Sequence, residues 1–184
     1  VGTVIMEVER NFKPKKSFLR QIRTICNNKK IVLIFDECTS GFRQTYGGLH
    51  KKYDVEPDMV MFGKALGNGY AITAIVGKKE IMEAAQSTFI SSTFWTERIG
   101  PTAALKTLEL MEKFKSWERI TYLGEQLRNG WRNSAKNNKI EISTFGIPAL
   151  STFVFNHTDS QKFKTFLTQE FLKKGFLAST VFYA

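Results

Sequence analysis

Two short apolar runs, each closed by a charged residue, constrain this chain more than any other feature. Ile31–Phe35 runs straight into Asp36, and Met59–Phe62 reaches Lys64 after a single glycine. Continuous apolar runs this short are what strands covered on both faces require, as in a parallel sheet. The 28 positions separating Asp36 from Lys64 leave room for one crossover between neighbouring parallel strands. Ligands of open parallel sheets bind beyond the carboxyl ends of the strands. Asp36 and Lys64 are therefore expected to face one crevice.

The surrounding sequence extends this pattern. Val1–Val8 reads as a buried strand, and Ser17–Asn28 as a helix with Phe18, Ile22 and Ile25 at helical spacing. Ala71–Gly77 reads as a further strand after the Gly67-Asn68-Gly69 turn. Strands alternating with crossovers define an α/β layer with a mostly parallel sheet. Beyond residue 100 the pattern changes. Pro101 suits the first position of a helix carrying Ala104, Leu108 and Met111. A second helix is expected from Trp117 to about Asn133, then a hairpin over Glu141–Asn156 broken at Gly146-Ile147-Pro148. A last helix carries Phe163, Phe166 and Phe171 as an expected core stripe and closes at Gly175. The expected division is residues 1–100 in one domain and 101–184 in a linking helix and part of an α+β domain. Val1–Val8 and Phe176–Ala184 are both apolar and strand-like, whereas domain termini are usually polar. Both ends read as the interior of a longer chain.

Charge and cysteine content narrow the function. The net charge is +10, but each half of the chain carries half of it, in scattered lysine pairs rather than the concentrated stripe of a nucleic-acid face. Cys26 and Cys38 are too few for a disulfide framework and lack metal-ligand spacing. His50 and His157 read as isolated surface residues. No run approaches the roughly 18 apolar residues of a membrane span, and the default location is the cytoplasm. An ATPase reading of Ile31–Glu37 as a magnesium-binding strand requires a phosphate loop. Gly63-Lys64-Ala65 lacks both the hydroxyl and the upstream glycine of such a loop.

A fuller match comes from the order of short motifs. Asp36-Glu37, Ser40-Gly41-Phe42-Arg43, Pro57-Asp58, Gly63-Lys64, Gly67-Asn68-Gly69 and Ile81-Met82 follow one another in this order. This series resembles the class III aminotransferases, including glutamate-1-semialdehyde aminomutase, and the resemblance extends over essentially the whole chain. Upstream, Val8 stands where the family has proline; downstream, Thr96-Glu97-Arg98 replaces its Gly-Asn-Pro.

The resemblance implies a three-layer α/β large domain of the pyridoxal-phosphate-dependent transferase type, followed by part of a small α+β domain. It implies pyridoxal 5'-phosphate as cofactor, small-molecule amino donors and carbonyl acceptors as substrates, and a homodimer with shared active sites. Amino transfer would run through an aldimine on Lys64, with intramolecular transfer by an aminomutase as the alternative. A primary amine suits that role because an incoming amine can displace it, after which it can shuttle a proton. Asp36 corresponds to the carboxylate that keeps the ring nitrogen protonated. Cys38 corresponds to an apolar residue packed on the ring. Thr39 stands near the ring hydroxyl, where the family has longer side chains. Thr93 corresponds to a threonine that reaches the phosphate of the neighbouring subunit. Family chains are roughly twice this length, and their N-terminal half supplies the main phosphate loop and much of the substrate pocket. This chain alone is therefore expected to be a poor catalyst, and a non-catalytic fragment of such an enzyme is the further alternative.

Overall fold

The computed structural model describes residues 1–184, which form two compact units, Val1–Trp117 and Glu118–Ala184. The first unit is built on a four-stranded sheet with β1 (Thr3–Met6), β2 (Val32–Asp36), β3 (Met59–Phe62) and β4 (Ala74–Gly77) side by side. The first three strands are parallel, and β4 pairs antiparallel with β3. The connection from Phe62 to Ala74 contains only a three-residue 3-10 turn and a bend, too short for a helical crossover. The chain therefore returns in the opposite direction. The expected strand over Ala71–Gly77 shortens accordingly to its last four residues.

β2 occupies the interior of the sheet. Leu33 and Phe35 are fully buried, and helix α1 (Phe18–Lys29) buries Leu19 and Cys26. The expectation of a buried strand over Val1–Val8 changes. β1 is an edge strand of four residues, with Thr3 and Ile5 exposed, Ile5 at 56%. Val8, just beyond the strand, is buried. After β4 come the short helix α2 (Lys79–Met82) and then α3 (Ile99–Phe114), which starts two residues before Pro101. The earlier start has a visible cause. The Glu97 carboxylate accepts the N–H groups of Ile99 at 2.6 Å and Gly100 at 3.1 Å, satisfying donors that a helix leaves open at its first turn. Ala104 of α3 packs with Phe42 and Leu66, bordered by Phe62, Ile72 and Met111.

Helix α4 (Ser116–Asn137) leads into the second unit, where β5 (Ile142–Phe145) and β6 (Thr152–Phe155) form the expected antiparallel hairpin. Gly124 of α4 lies against the Pro148 carbonyl, with no room for a Cβ. Arg128 is buried and fixes the turn between the strands, donating to Ser151 Oγ at 2.6 Å and to the carbonyls of Phe145 and Gly146. Helix α5 (Ser160–Lys173) carries the aromatic stripe, but not as core: Phe163 is 40% and Phe166 61% exposed. Only one edge of the helix meets β6, through Phe163 against Phe155. The apolar segment after Gly175 forms no full strand. It runs beside β6 through one bridge, Val181 to Thr152, and backbone bonds to Ala149, Ser151 and Phe153.

Asp58 locks the entry to β3. Its carboxylate accepts Leu33 N–H at 2.8 Å, Arg23 at 2.9 Å and Lys78 Nζ at 2.7 Å. Burial alone raises a carboxyl pKa, but here the Leu33, Lys78 and Arg23 donors outweigh it and hold the group below its usual range. Asp58→Asn is expected to cost about 3 kcal/mol in urea unfolding at neutral pH, the lower end for breaking a buried pair, because Lys78 can turn to water. A depressed folded-state pKa contributes stability above the unfolded value and loses it as pH falls through the folded one. The difference between wild type and variant should therefore shrink below about pH 4.

Candidate functional site

Parallel pairing sets the site. Asp36 lies opposite Met61 in the β2–β3 register, and Glu37 N–H donates to Met61 O at 2.9 Å. The carboxyl ends of β1, β2 and β3 consequently lie on one edge of the sheet, and the segments leaving them converge. Lys64 Nζ donates to Thr39 Oγ1 at 2.7 Å. Asp36 Oδ1 accepts Cys38 N–H at 3.0 Å. Burial pushes the Cys38 thiol pKa up, the Asp36 hydrogen bond and charge push it further, and Lys64 pulls the other way. The net rise keeps Cys38 a neutral thiol at pH 7, a packing group rather than a nucleophile.

The backbone around Lys64 is specialised. Lys64 itself has φ +45°, in the left-handed region that side chains seldom occupy. Holding it there costs on the order of 1–3 kcal/mol. The carbonyl of Lys64 accepts the N–H groups of Gly67 and Asn68 at 3.1 and 2.9 Å, which stabilises the turn. A Cβ on Gly63 would stand 3.3 Å from Thr73 Cγ2 and 3.5 Å from Cys38 Sγ. A side chain there would be tight against Thr73 and in contact with Cys38, so glycine lets the lysine turn pack close to both.

Glu37 anchors the loop behind the site. It is fully buried and its carboxylate accepts Leu49 N–H, His50 N–H at 3.0 Å and Ser40 Oγ–H at 3.3 Å. His50 Nδ1 lies 2.6 Å from Glu37 Oε1, within hydrogen-bond distance. The expectation of a surface histidine is therefore wrong. His50 is 4% exposed because its ring satisfies a buried carboxylate. Arg43 Nε donates to Thr39 O at 2.8 Å, fixing the other side of the same loop.

Four of the five expected site residues meet in this way: Lys64, Asp36, Cys38 and Thr39. Thr93 does not join them. It lies on an exposed turn ahead of α3, its hydroxyl free of hydrogen bonds. An apolar groove of about 910 Å³, lined by Met59, Ile72, Met82, Phe94 and Trp95 among others, contains none of the four. One neighbour escaped the sequence reading. Arg10, just beyond the carboxyl end of β1, places Nη1 3.5 Å from Thr39 Oγ1 and 2.9 Å from Glu7 Oε1. The strand-end rule that singled out Asp36 and Lys64 applies equally to β1.

A lysine and an aspartate at adjacent parallel strand ends define an open α/β architecture with its candidate site at the carboxyl edge of the sheet. Residues 11–181 match the class-III aminotransferase family, and the chain belongs to it. It is 34% identical over 157 residues to the 3-aminobutyryl-CoA aminotransferase of Cloacimonas acidaminovorans, covering 85% of this chain and 38% of that protein. It is 31% identical over 185 residues to the glutamate-1-semialdehyde 2,1-aminomutase of Thermodesulfovibrio yellowstonii, covering 93% and 43%. Among solved structures, the FumI protein of Sphingopyxis sp. MTA144, in its PLP internal aldimine form, superposes with a TM-score of 0.91 at 23% identity. That alignment covers 98% of this chain and 45% of that one. Acetylornithine aminotransferase from Elizabethkingia anophelis gives 0.80 at 24% identity, covering 95% and 45%. The chain spans less than half the length of these relatives. At these identities the superpositions establish the fold.

His50→Ala is expected to cost about 3–5 kcal/mol by leaving the buried Glu37 charge short of its closest side-chain partner. Glu56→Ala should barely move the unfolding midpoint, since Glu56 is 80% exposed and 3.8 Å from His50. Equal urea midpoints for His50→Ala and wild type would remove the Glu37–His50 pair from the account.

Proposed function

We propose that this chain carries the lysine-bearing part of a pyridoxal-phosphate-dependent aminotransferase, with residues 1–100 the later part of its cofactor-binding domain and the remainder a linking helix and part of the small domain. The observation that carries the reading is the convergence of Lys64, Thr39, Cys38 and Asp36 at the ends of β2 and β3. The donor set fits the group: a primary amine, a carboxylate and a neutral thiol. Pyridoxal phosphate, when bound, supplies an electron sink for the carbon that loses its proton.

The chain's own residues divide the remaining work. Lys64 would hold the cofactor through its ε-nitrogen and would move the proton as general base and acid. Asp36 holds a proton on the ring nitrogen by opposing charge. Cys38 packs against the ring as a small, soft group. Thr39 orients Lys64 Nζ by accepting its hydrogen bond at 2.7 Å. Thr93, ahead of α3, serves the phosphate of a second subunit in a homodimer, where a hydroxyl and a helix N-terminus both favour an anion. The aminomutase reading stays as the alternative, favoured by relatives of that activity at 31–36% identity.

Borohydride reduction after addition of pyridoxal phosphate should fix the cofactor on the Lys64 peptide; label on any other lysine would overturn the assignment. In the holoenzyme, Lys64→Ala should reduce turnover by more than about a thousandfold while the fold persists, as expected for loss of a covalent catalyst. Asp36→Asn should retain cofactor yet turn over far more slowly, and unchanged turnover would make Asp36 merely structural. Mixing Lys64→Ala with Thr93→Val subunits tests the shared site. Heterodimers with one intact site should recover part of the activity, and no recovery would remove Thr93 from the partner's site.

A further inference from the structure

Two basic side chains from different strand ends meet on one neutral oxygen. Thr39 Oγ1 accepts Lys64 Nζ at 2.7 Å and lies 3.5 Å from Arg10 Nη1. The threonine is 7% exposed, whereas the Arg10 side chain is 51% exposed and could extend into water. It is held over the site by Glu7, whose Oε1 lies 2.9 Å from the same Nη1. The rest of the guanidinium, Nε and Nη2, donates to no protein group. A fork of unused donors beside Lys64, kept in place by an ion pair, is suited to an oxyanion.

We propose that Arg10 is an oxyanion-binding residue of the Lys64 site. The proposal rests on the functional reading above and names a partner for that chemistry. In pyridoxal phosphate the phenolic oxygen is on the ring carbon next to the one bearing the aldehyde. Held at Lys64, the group would carry that oxygen among the polar side chains around Nζ, of which Thr39 and Arg10 are two. Thr39 offers only a short neutral hydroxyl there, and Arg10 supplies the charge. A carboxylate on the amino donor would present the same chemistry from the carbon attached to the donor nitrogen. Glu7 is a positioning residue in either case.

The test compares wild type, Arg10→Gln and Arg10→Lys as holoenzymes, with pyridoxal phosphate and its 3-deoxy analogue as probes. One charge-assisted contact changes affinity about ten- to a hundredfold. Arg10→Gln should weaken pyridoxal phosphate by that factor and leave the analogue unchanged, and Arg10→Lys should recover part of the loss. That result assigns the phenolic oxygen. Unchanged cofactor affinity, with KM raised for carboxylated donors but not for simple amines, assigns the donor's carboxylate instead. If Arg10→Gln matches wild type with every probe, or weakens the cofactor and its analogue equally, the proposal is overturned. Because wild type is first checked for borohydride-fixed cofactor on Lys64, failure of that control overturns the functional reading, and failure of the Arg10 comparison alone leaves it standing.

Discussion

The buried carboxylate of Glu37 is the interaction on which the arrangement depends. It follows Asp36 directly and precedes Cys38 and Thr39, so its position fixes three neighbouring site residues at once. Its own N–H belongs to the β2–β3 ladder, through Met61. Its side chain turns the other way and gathers Ser40, Leu49 and His50. A fully buried charge is tolerated only when its lone pairs are filled, and here a whole loop is folded to fill them. Strand end and loop are thereby tied together, and the residues between them have little freedom.

That rigidity sets the character of the site edge. Three parallel strands deliver, in order, Arg10, the Asp36–Thr39 turn and Lys64, and they meet around one hydroxyl. The antiparallel β4 ends the series and contributes packing: its Ala74 joins Phe62 and Ile72 around the core of Phe42, Leu66 and Ala104. The strain stored at Lys64, with φ +45°, fits this scheme. A lysine on a regular extended backbone would continue the strand. The left-handed turn instead keeps Nζ within 2.7 Å of Thr39, and the turn's bonds to Gly67 and Asn68 offset the strain locally.

What the sequence disclosed and what it withheld follow from the range of the forces involved. Asp36 and Lys64 were legible because strand period and burial are local, and an apolar run ending in a charge marks the end of a buried strand. The hairpin around Gly146–Pro148 was legible for a similar reason, as turn chemistry is read in adjacent residues. His50 was not. Its partner lies 13 residues away across a loop, and nothing in Gly48-Leu49-His50 indicates that a carboxylate waits inside. The Phe163–Phe166 stripe misled in the opposite direction. Helical spacing shows which residues share a face, but only tertiary contact decides whether that face is covered, and here most of it is not.

Arg10 occupies the boundary between these cases. Its place at a strand's carboxyl end was visible, but its side chain acts through Thr39, 29 residues away, and through an ion pair with Glu7 that resembles any exposed i,i+3 contact. Such pairs contribute little to stability, about 0–1 kcal/mol. Glu7 and Arg10 are 35% and 51% exposed, so folding gains little by holding them together. A long cation beside Lys64 at so small a stabilising return is what the proposed oxyanion contact would explain. The same reasoning separates it from Asp58 and Arg128, whose bonds are buried and complete without any ligand. Completeness of bonding, more than charge or position, divides the residues that hold this fold from those free to serve its chemistry.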